Sequence, residues 1–182
     1  MTPDDRAKFS DYTAGLRDGR TVTLRFLSTA DGESLGRFYE ALPAASRRFY
    51  WPHELDFEHG LIRASRADQP FEVCLVAETS EGGIGGYAWY RWPSEDAESS
   101  GFGIAVAEEW QSSGVGRTLM TRLLEISETV GPPKMHLTCQ HANFRAVRLY
   151  QKLGFQITRE GMCRSRRGFG AEPNYWMERQ CR

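Results

Sequence analysis

One stretch of eight residues decides the fold of this chain: Gln111-Ser112-Ser113-Gly114-Val115-Gly116-Arg117-Thr118. Before it, the apolar run Phe102–Val106 is rich in branched residues and is typical of a short β-strand. After it, apolar residues recur at helical spacing over 115–130, until Gly131-Pro132-Pro133 stops the pattern. The stretch is therefore predicted to lead from a strand into a helix, with two glycines at the helix start.

The start of this helix has the chemistry of an anion-binding site. Its first backbone N–H groups have no partner within the helix and lie at the positive end of the helix dipole. Gly114 and Gly116 lack the Cβ atoms that would hold an anion away, and Arg117 adds a positive charge. A diphosphate fits such a site. A plain glycine-containing turn is the alternative, because neither the dinucleotide fingerprint nor the Walker loop is complete here.

Length and composition predict a single globular domain. The chain has 182 residues and a mass of 20.7 kDa, with 40% hydrophobic and 26% charged residues. We assign residues 21–182 to this domain and residues 1–20 to an N-terminal arm or short helix. The 23 basic and 24 acidic side chains give a net charge of −1, which offers no reason to expect nucleic acid or an anionic membrane surface as a partner.

The cysteines and histidines lack the spacing of a metal site, so no metal is expected. Three of the four cysteines lie in apolar or strand-like runs, which favours a reduced, cytoplasmic chain; the four are Cys74, Cys139, Cys163 and Cys181. The first twenty residues lack the apolar core of a signal peptide, and no apolar run approaches the length that spans a membrane. We therefore expect no membrane partner.

Alternating strand and helix patterns predict an α/β fold with a mixed sheet. Strands are predicted at 21–27, 71–79, 84–92, 102–106, 134–139, 155–163 and 174–178. Helices are predicted from Asp31 to near Pro43, around Leu55 to Ile62, over 115–130, and from Asn143 to Gly154. The order β-α-α-β-β-β-α-β-α-β-β places helices on the faces of the sheet. Local signals do not specify the order of the strands within it.

Two motifs together resemble the GNAT N-acetyltransferase superfamily. The first is Gln111-x-x-Gly114-x-Gly116, which resembles the acyl-CoA pyrophosphate loop of that family. The second is Asn143-x-x-Ala146-x-x-x-Tyr150-x-x-x-Gly154-Phe155, at the usual distance downstream. The resemblance covers roughly residues 102–155, and it implies a single-domain GNAT acyl-CoA N-acyltransferase fold that uses acetyl-CoA as acyl donor. Some features resemble the protein-lysine and ribosomal-protein acetyltransferase branches.

The resemblance assigns the cofactor-binding residues. The backbone of Ile104, Ala105 and Val106 would pair with the amides of pantetheine, as an added strand does, between the strands that end at Val106 and Cys139. The diphosphate would be held by Gln111 and by the amides that follow it, those of Ser112, Ser113, Gly114, Val115, Gly116, Arg117 and Thr118. Asn143 and Ala146 complete the set. The three strand residues could instead serve only to pack the core. Asn143 could instead serve only as a helix cap.

Tyr150 is the catalytic candidate, because a phenol near the sulfur can protonate the departing thiolate. No base is assigned. The lysine-acetylating branch has a Glu where this chain has Gly101, and the ribosomal-protein branch has one where this chain has Thr138. Replacements to consider are Glu72, Glu78, Glu98, His136 and His141. An acyl-cysteine at Cys139 is not favoured, because no histidine is placed by sequence to activate it.

The expected reaction moves an acetyl group from acetyl-CoA directly to a primary amine in a ternary complex. The acceptor is a protein amine or a small-molecule amine, and a homodimer is a candidate assembly. Aromatic residues that could wall the acceptor, or simply pack in the core, are Phe49, Tyr50, Trp51, Trp89 and Trp92. The arginines at 164, 166 and 167 could recruit an acidic substrate or form a solvated loop. The alternative from another class is a non-catalytic acyl-CoA sensor.

Overall fold

We describe residues 3–164 and 170–182 of a computed structural model. Over these residues, eight strands form one mixed sheet in the order β1-β2-β3-β4-β5-β6-β8-β7. Their bounds are Tyr12–Gly15 (β1), Thr21–Phe26 (β2), Glu72–Thr79 (β3), Ile84–Arg91 (β4), Ser99–Val106 (β5), Lys134–Gln140 (β6), Gln156–Arg164 (β7) and Ala171–Gln180 (β8). All pairs are antiparallel except β5 and β6, which run parallel.

Six α-helices accompany the sheet within the same ranges. They are Pro3–Ala7 (α1), Gly32–Ala41 (α2), Ala44–Arg47 (α3), Phe57–Ser65 (α4), Val115–Ser127 (α5) and Phe144–Lys152 (α6). Short polar side chains begin two of them: Asp56 accepts from the amide of His59, and Asn143 accepts from the amide of Ala146. In the described ranges, every helix is too short or too polar to span a bilayer.

The sheet separates two apolar cores, because successive side chains of a strand point to opposite faces. Helices α5 and α6 cover one face, which we call the α5 face, with Leu119, Met135 and Tyr150 among its buried residues. Helices α2 and α4 cover the other, the α2 face, where Tyr39 and Tyr87 are fully buried. Burial on both faces makes β3 and β4 almost continuously apolar.

Strands β5 and β6 separate partway along their length. They pair only over Ser99–Gly101 and Lys134–His136, although β5 continues to Val106 and β6 to Gln140. Beyond Gly101, β5 keeps its pairing with β4, and β6 keeps its pairing with β8. The gap between residues 102–106 and residues 137–140 is called the fork below. Its edges carry backbone groups that no neighbouring strand uses.

The predicted fold class and element order are confirmed, with two additions. Strand β1 lies within residues 1–20 and pairs with β2, where we expected only an arm or a short helix. It has four residues of which only Ala14 is buried, too few for a periodic signal. Helix α3 is a single turn, and Leu55 is buried just before α4 rather than within it. The domain boundary after residue 20 stays a prediction, and residues 165–169 of the arginine-rich loop lie outside the described part.

Candidate active site

A cavity of about 780 Å³ opens at the fork. It passes between the separated strands, because residues on both faces of the sheet line it. On the α5 face these include Leu149 and Tyr150, and on the α2 face they include Leu42, Tyr50 and Thr138. Two reactants can therefore approach the vertex of the fork from opposite faces of the sheet.

The glycine turn opens onto one end of this cavity. Strand β5 ends at Val106, and α5 begins directly after Gly114. Gly114 has φ of 120° and ψ of −10°, a conformation that residues with a Cβ atom rarely adopt. Ser112 also has a positive φ, of 63°. Eight residues, 107–114, thus connect the strand to the helix; they include a 3₁₀ turn at Glu108–Trp110, and Gly114 comes directly before the helix as predicted.

The first amides of α5 are available to a ligand. The N–H groups of Val115, Gly116 and Arg117 find no acceptor among the described residues. The next amide, that of Thr118, already donates to the carbonyl of Gly114 at 3.0 Å. Thr118 therefore does not supply the free amide expected of it, because the helix has closed its first turn there. Three donors at the positive end of the helix remain for an anion.

Most of the predicted site residues line the cavity: Ile104, Ala105, Val106, Gln111, Ser112, Gly114, Gly116, Arg117, Asn143, Ala146 and Tyr150. The other three are not among its lining residues. The Ser113 hydroxyl donates to the Trp110 carbonyl at 2.6 Å, and that of Thr118 donates to the Gly114 carbonyl at 3.1 Å. Val115 is fully buried in the core. Of these three residues, Thr118 has both its amide and its hydroxyl engaged with the Gly114 carbonyl, whereas the amides of Ser113 and Val115 have no acceptor among the described residues.

Five cations surround the same end of the cavity, of which sequence reasoning identified one. They are Arg17, Arg117, Arg145, Arg148 and Lys152, and no carboxylate is among the described lining residues. Arg145, Arg148 and Lys152 recur at positions i, i+3 and i+7 of α6 and so share one side of the helix. This spacing can be read from the sequence. Arg17 arrives from the β1–β2 turn, where its amide donates to the Ser113 carbonyl at 3.0 Å. This end of the cavity is strongly electropositive.

Tyr150 lies beside the fork on the α5 face. Its ring packs edge-on against Phe102, with centroids 5.8 Å apart, and lies 5.9 Å from Phe155. Burial, reinforced by the neighbouring Cys139, raises the pKa of Tyr150. Its hydroxyl therefore stays protonated at neutral pH and can donate a proton. Burial also raises the pKa of Cys139 to about 12, so this residue remains a thiol and is a poor nucleophile.

The end of the cavity on the α2 face has two aromatic side chains in its lining. Tyr50 and Phe49 line it. The Tyr50 oxygen accepts from Trp89 Nε1 at 2.8 Å and is 2.9 Å from His53 Nε2. Trp92 does not join them, because it lies on the α5 face, stacked on Tyr90.

His53 is held in one tautomer in this network. Its Nδ1 lies 2.7 Å from the Glu54 carbonyl, which can only accept, so Nδ1 carries the hydrogen and Nε2 accepts from Tyr50. Burial, together with the guanidinium groups of Arg63 and Arg91, lowers the pKa of His53 to about 4. The imidazole is therefore neutral at physiological pH, in a positively charged surrounding.

Of the five candidate bases, three carboxylates lie away from the fork. Glu72 is buried between Arg63 and Arg91, with which it forms ion pairs. Glu78 accepts from Arg25 at 2.8 Å near the end of β3. Glu98 is exposed, just before β5.

The two histidines differ in their surroundings. His141 stacks on Tyr175 with ring centroids 3.7 Å apart. His136 lies directly beside Gly101 in the sheet, and its Nε2 is 3.8 Å from the position that a Cβ of Gly101 would take. An imidazole on the neighbouring strand thus lies beside the position at which the resemblance to the lysine-acetylating branch would place a Glu. It is on the α2 face at the vertex of the fork, on the opposite face of the sheet from Tyr150.

Known proteins resemble this chain in sequence and in fold. Residues 37–155, more than half of the chain, match the model of the Acetyltransferase (GNAT) family. A mycothiol acetyltransferase from Nocardiopsis dassonvillei is 34% identical over 90 residues, which are 46% of this chain and 27% of that relative. The L-amino acid N-acetyltransferase AaaT of Escherichia coli is 25% identical over 143 residues, 77% of this chain and 86% of that relative. The match therefore spans only about a quarter of the mycothiol acetyltransferase.

Solved structures show the same fold. The GNAT domain of S. lividans PAT has a TM-score of 0.78 at 18% identity, covering 99% of each chain. The structure of yncA from Salmonella typhimurium, with its cofactor acetyl-CoA, has a TM-score of 0.73 at 23% identity, covering 88% of this chain and 94% of that one. The chain belongs to the GNAT acetyltransferase family.

Proposed function

We propose that this enzyme transfers an acetyl group from acetyl-CoA directly to a primary amine. One observation carries the proposal: the cavity at the fork has three free helix amides and five cations at one end and a protonated phenol at its vertex. Coenzyme A carries a diphosphate and a further phosphate, which match the cationic end. The relative yncA was solved with acetyl-CoA as its cofactor.

The open edge of β5 supports an extended binding mode for the pantetheine arm. Residues 102–106 hydrogen-bond to β4 on one side only, because pairing with β6 ends at Gly101. Backbone groups of Ile104 to Val106 on the other side are therefore available to pair with the amides of pantetheine, as an added strand would. This arrangement leads the thioester from the cations to the vertex of the fork, beside Tyr150.

In the proposed reaction the acceptor nitrogen forms a bond to the acetyl carbon, and the carbon–sulfur bond breaks. Tyr150 gives its proton to the thiolate of coenzyme A, which leaves as the thiol. His136 Nε2 takes the proton that the acceptor ammonium must lose before it attacks. The two groups lie on opposite faces of the sheet, which suits a donor from the α5 face and an acceptor from the α2 face. His136 fills the role for which Gly101 and Thr138 have no suitable side chain.

This function is tested in two steps. Calorimetric titration measures the binding of acetyl-CoA, and thiol-release assays then measure acetyl transfer to a panel of amines and peptides. Binding accompanied by thiol release that depends on an amine is the expected result. A folded protein that does not bind acetyl-CoA would overturn the proposal. Binding without release on any amine would favour the sensor alternative, which the enzymes among the relatives do not favour.

We also propose that the enzyme works in a reducing compartment such as the cytoplasm, because all four cysteines are free thiols. Outside such a compartment the cysteine thiols should oxidise to mixed disulfides, and mass spectrometry would detect this oxidation. A homodimer, which is common in the family, stays a prediction. Light scattering in solution measures it directly.

A further inference from the structure

A row of side chains crosses the sheet at the vertex of the fork, on the α2 face. Strand pairing places Glu72, Arg91, Gly101, His136 and Glu178 side by side on five neighbouring strands. Gly101 has no side chain, and a Cβ there would meet only His136 Nε2, at 3.8 Å, and the Arg91 carbonyl, at 4.0 Å. The row therefore contains a depression above Gly101, with Arg91 on one side and His136 on the other. We call it the Gly101 trough.

Arg91 is held in place at the side of the trough. Its guanidinium lies over the Trp89 ring, 4.2 Å from the centroid, and its Nη2 is 3.2 Å from Glu72 Oε1. Trp89 is itself fixed, because its Nε1 donates to Tyr50 at 2.8 Å, and a Cβ on Gly103 beneath it would be 2.6 Å from its ring. An arginine fixed in this way loses little conformational entropy when it binds a ligand.

The charge on Arg91 is not balanced. Glu72 also forms an ion pair with the buried Arg63, so one carboxylate serves two guanidinium groups and the trio keeps one positive charge. Arg91 Nε and Nη2 are buried and make no well-aligned hydrogen bond in residues 3–164 and 170–182, apart from the ion-pair contact of Nη2 with Glu72, whereas the side chain as a whole is 39% exposed. The neighbouring His53 has a lowered pKa, chiefly because it is buried and in part because these two arginines are close. This lowered pKa is consistent with the positive charge. This side of the trough is suited to an anion.

The opposite side of the trough is formed by His136 and, beyond it, by a carboxylate that is paired with a lysine. That carboxylate is Glu178, whose side chain is 43% exposed and which lies 3.6 Å from Lys134 Nζ. Two inter-strand spacings, about 10 Å, separate the backbones of Arg91 and His136, and the Nε2 atom of His136 faces the open position at Gly101. A small zwitterion fits this space with its amine toward His136 and its anionic group toward Arg91.

We propose that the acceptor is a small amine with a carboxylate beside the reacting nitrogen, as in a free amino acid, and that Arg91 binds this carboxylate. The inference rests on the proposed acetyl transfer and adds the class of acceptor. The Gly101 trough orients the acceptor: the carboxylate pairs with the fixed guanidinium, which directs the amine toward His136 and the thioester. Arg91 is therefore a binding and positioning residue, and the proton transfers remain with His136 and Tyr150.

The test compares acceptors that differ only in the carboxylate. Free L-amino acids with apolar, aromatic and acidic side chains are each paired with the corresponding carboxamide, and spermidine and a short peptide complete the panel. Thiol release from acetyl-CoA is measured with each acceptor. We expect the best amino acid to exceed its carboxamide in kcat/KM by about ten- to a hundredfold, the range for a charge-assisted interaction.

Arg91→Met should remove that preference by lowering kcat/KM for the amino acid about ten- to a hundredfold, chiefly through KM, while the carboxamide changes little. Glu72 keeps its pair with Arg63 in this variant, and thermal unfolding checks the fold. Arg159→Met is the matched control, because Arg159 stacks on Trp176 at 4.1 Å without bordering the trough. It should behave as the wild type does.

The outcomes separate this inference from the proposed function. Equal or faster acetylation of the carboxamides, or an unchanged preference in Arg91→Met, would overturn the inference. Transfer to spermidine or to the peptide but to no amino acid would also overturn it, and would leave the acetyltransferase function intact. A folded protein without affinity for acetyl-CoA in calorimetry would instead refute the function on which the inference depends.

Discussion

Replacing Gly114 by aspartate should abolish the binding of acetyl-CoA. The residue has φ of 120°, and a side chain in such a conformation costs about 1–3 kcal/mol of backbone strain. A Cβ at this position would meet only Leu16 Cδ2, at 3.8 Å, so the cost comes from the backbone and not from a steric clash. This strain exists with or without a ligand, so it lowers the free energy of unfolding rather than the affinity.

The aspartate charge acts on binding itself. Two unit charges about 4 Å apart interact by about 4 kcal/mol at an effective dielectric constant of 20. A carboxylate beside the amides of residues 115–117 would lie at roughly this distance from a bound diphosphate. Since each 1.4 kcal/mol is a factor of ten, the affinity should fall by about a thousandfold.

Thermal unfolding first shows that each variant folds. The assay is then calorimetric titration of the variant with acetyl-CoA at constant ionic strength. Gly114→Ala separates the strain from the charge and should bind more tightly than Gly114→Asp. Gly82→Asp is the matched control, because Gly82 also has a positive φ, of 79°, but does not line the cavity, so the affinity should stay within about threefold. A folded Gly114→Asp protein with wild-type affinity would refute the diphosphate assignment.

Three further substitutions test the chemistry and the fold. Tyr150→Phe should keep the affinity for acetyl-CoA and lower kcat about ten- to a thousandfold in the thiol-release assay; full turnover would remove Tyr150 from the mechanism. His136→Gln should lower kcat about a hundredfold or more without changing acetyl-CoA affinity; an unchanged kcat would mean that another group takes the proton. Burial raises the pKa of Asp31, but hydrogen bonds from Arg25, at 2.8 Å, and from Ser28 lower it overall. The ionised carboxylate therefore stabilises the fold above about pH 4, and this contribution is lost as the pH falls through the lowered pKa. Asp31→Asn should cost about 1–3 kcal/mol of unfolding free energy at pH 7, and this cost should shrink as the pH falls through the lowered pKa of Asp31; a cost that does not change with pH would contradict this account.

Local patterns predict the part of the site that is continuous in sequence. The turn at Gly114 and the helix from Asn143 to Lys152 bring together residues within short stretches, so glycine placement and helical spacing are sufficient. Strand β1 escaped prediction because four residues with one buried side chain have no clear period. The order of the strands, and hence the fork, depends on pairing between distant segments that no local signal records.

The acceptor side shows why the base that we propose could not be identified from the sequence. The family resemblance would place a carboxylate at position 101, but this chain has Gly101 there. A comparison of sequences position by position therefore finds no substitute. In the folded sheet His136, 35 positions later, lies beside Gly101 because β5 and β6 pair at these two residues. Arg91 reaches the same place from β4. A proposed replacement between residues on neighbouring strands can be recognised only once the pairing register of those strands is known.

The measurement that tests the central claim most directly is a crystal structure of the protein with acetyl-CoA. We expect the diphosphate on the amides of Val115 to Arg117, the pantetheine arm along Ile104 to Val106, and the thioester sulfur within hydrogen-bonding reach of the Tyr150 hydroxyl. A cofactor bound outside the fork, or one whose sulfur lies far from Tyr150, would contradict the account.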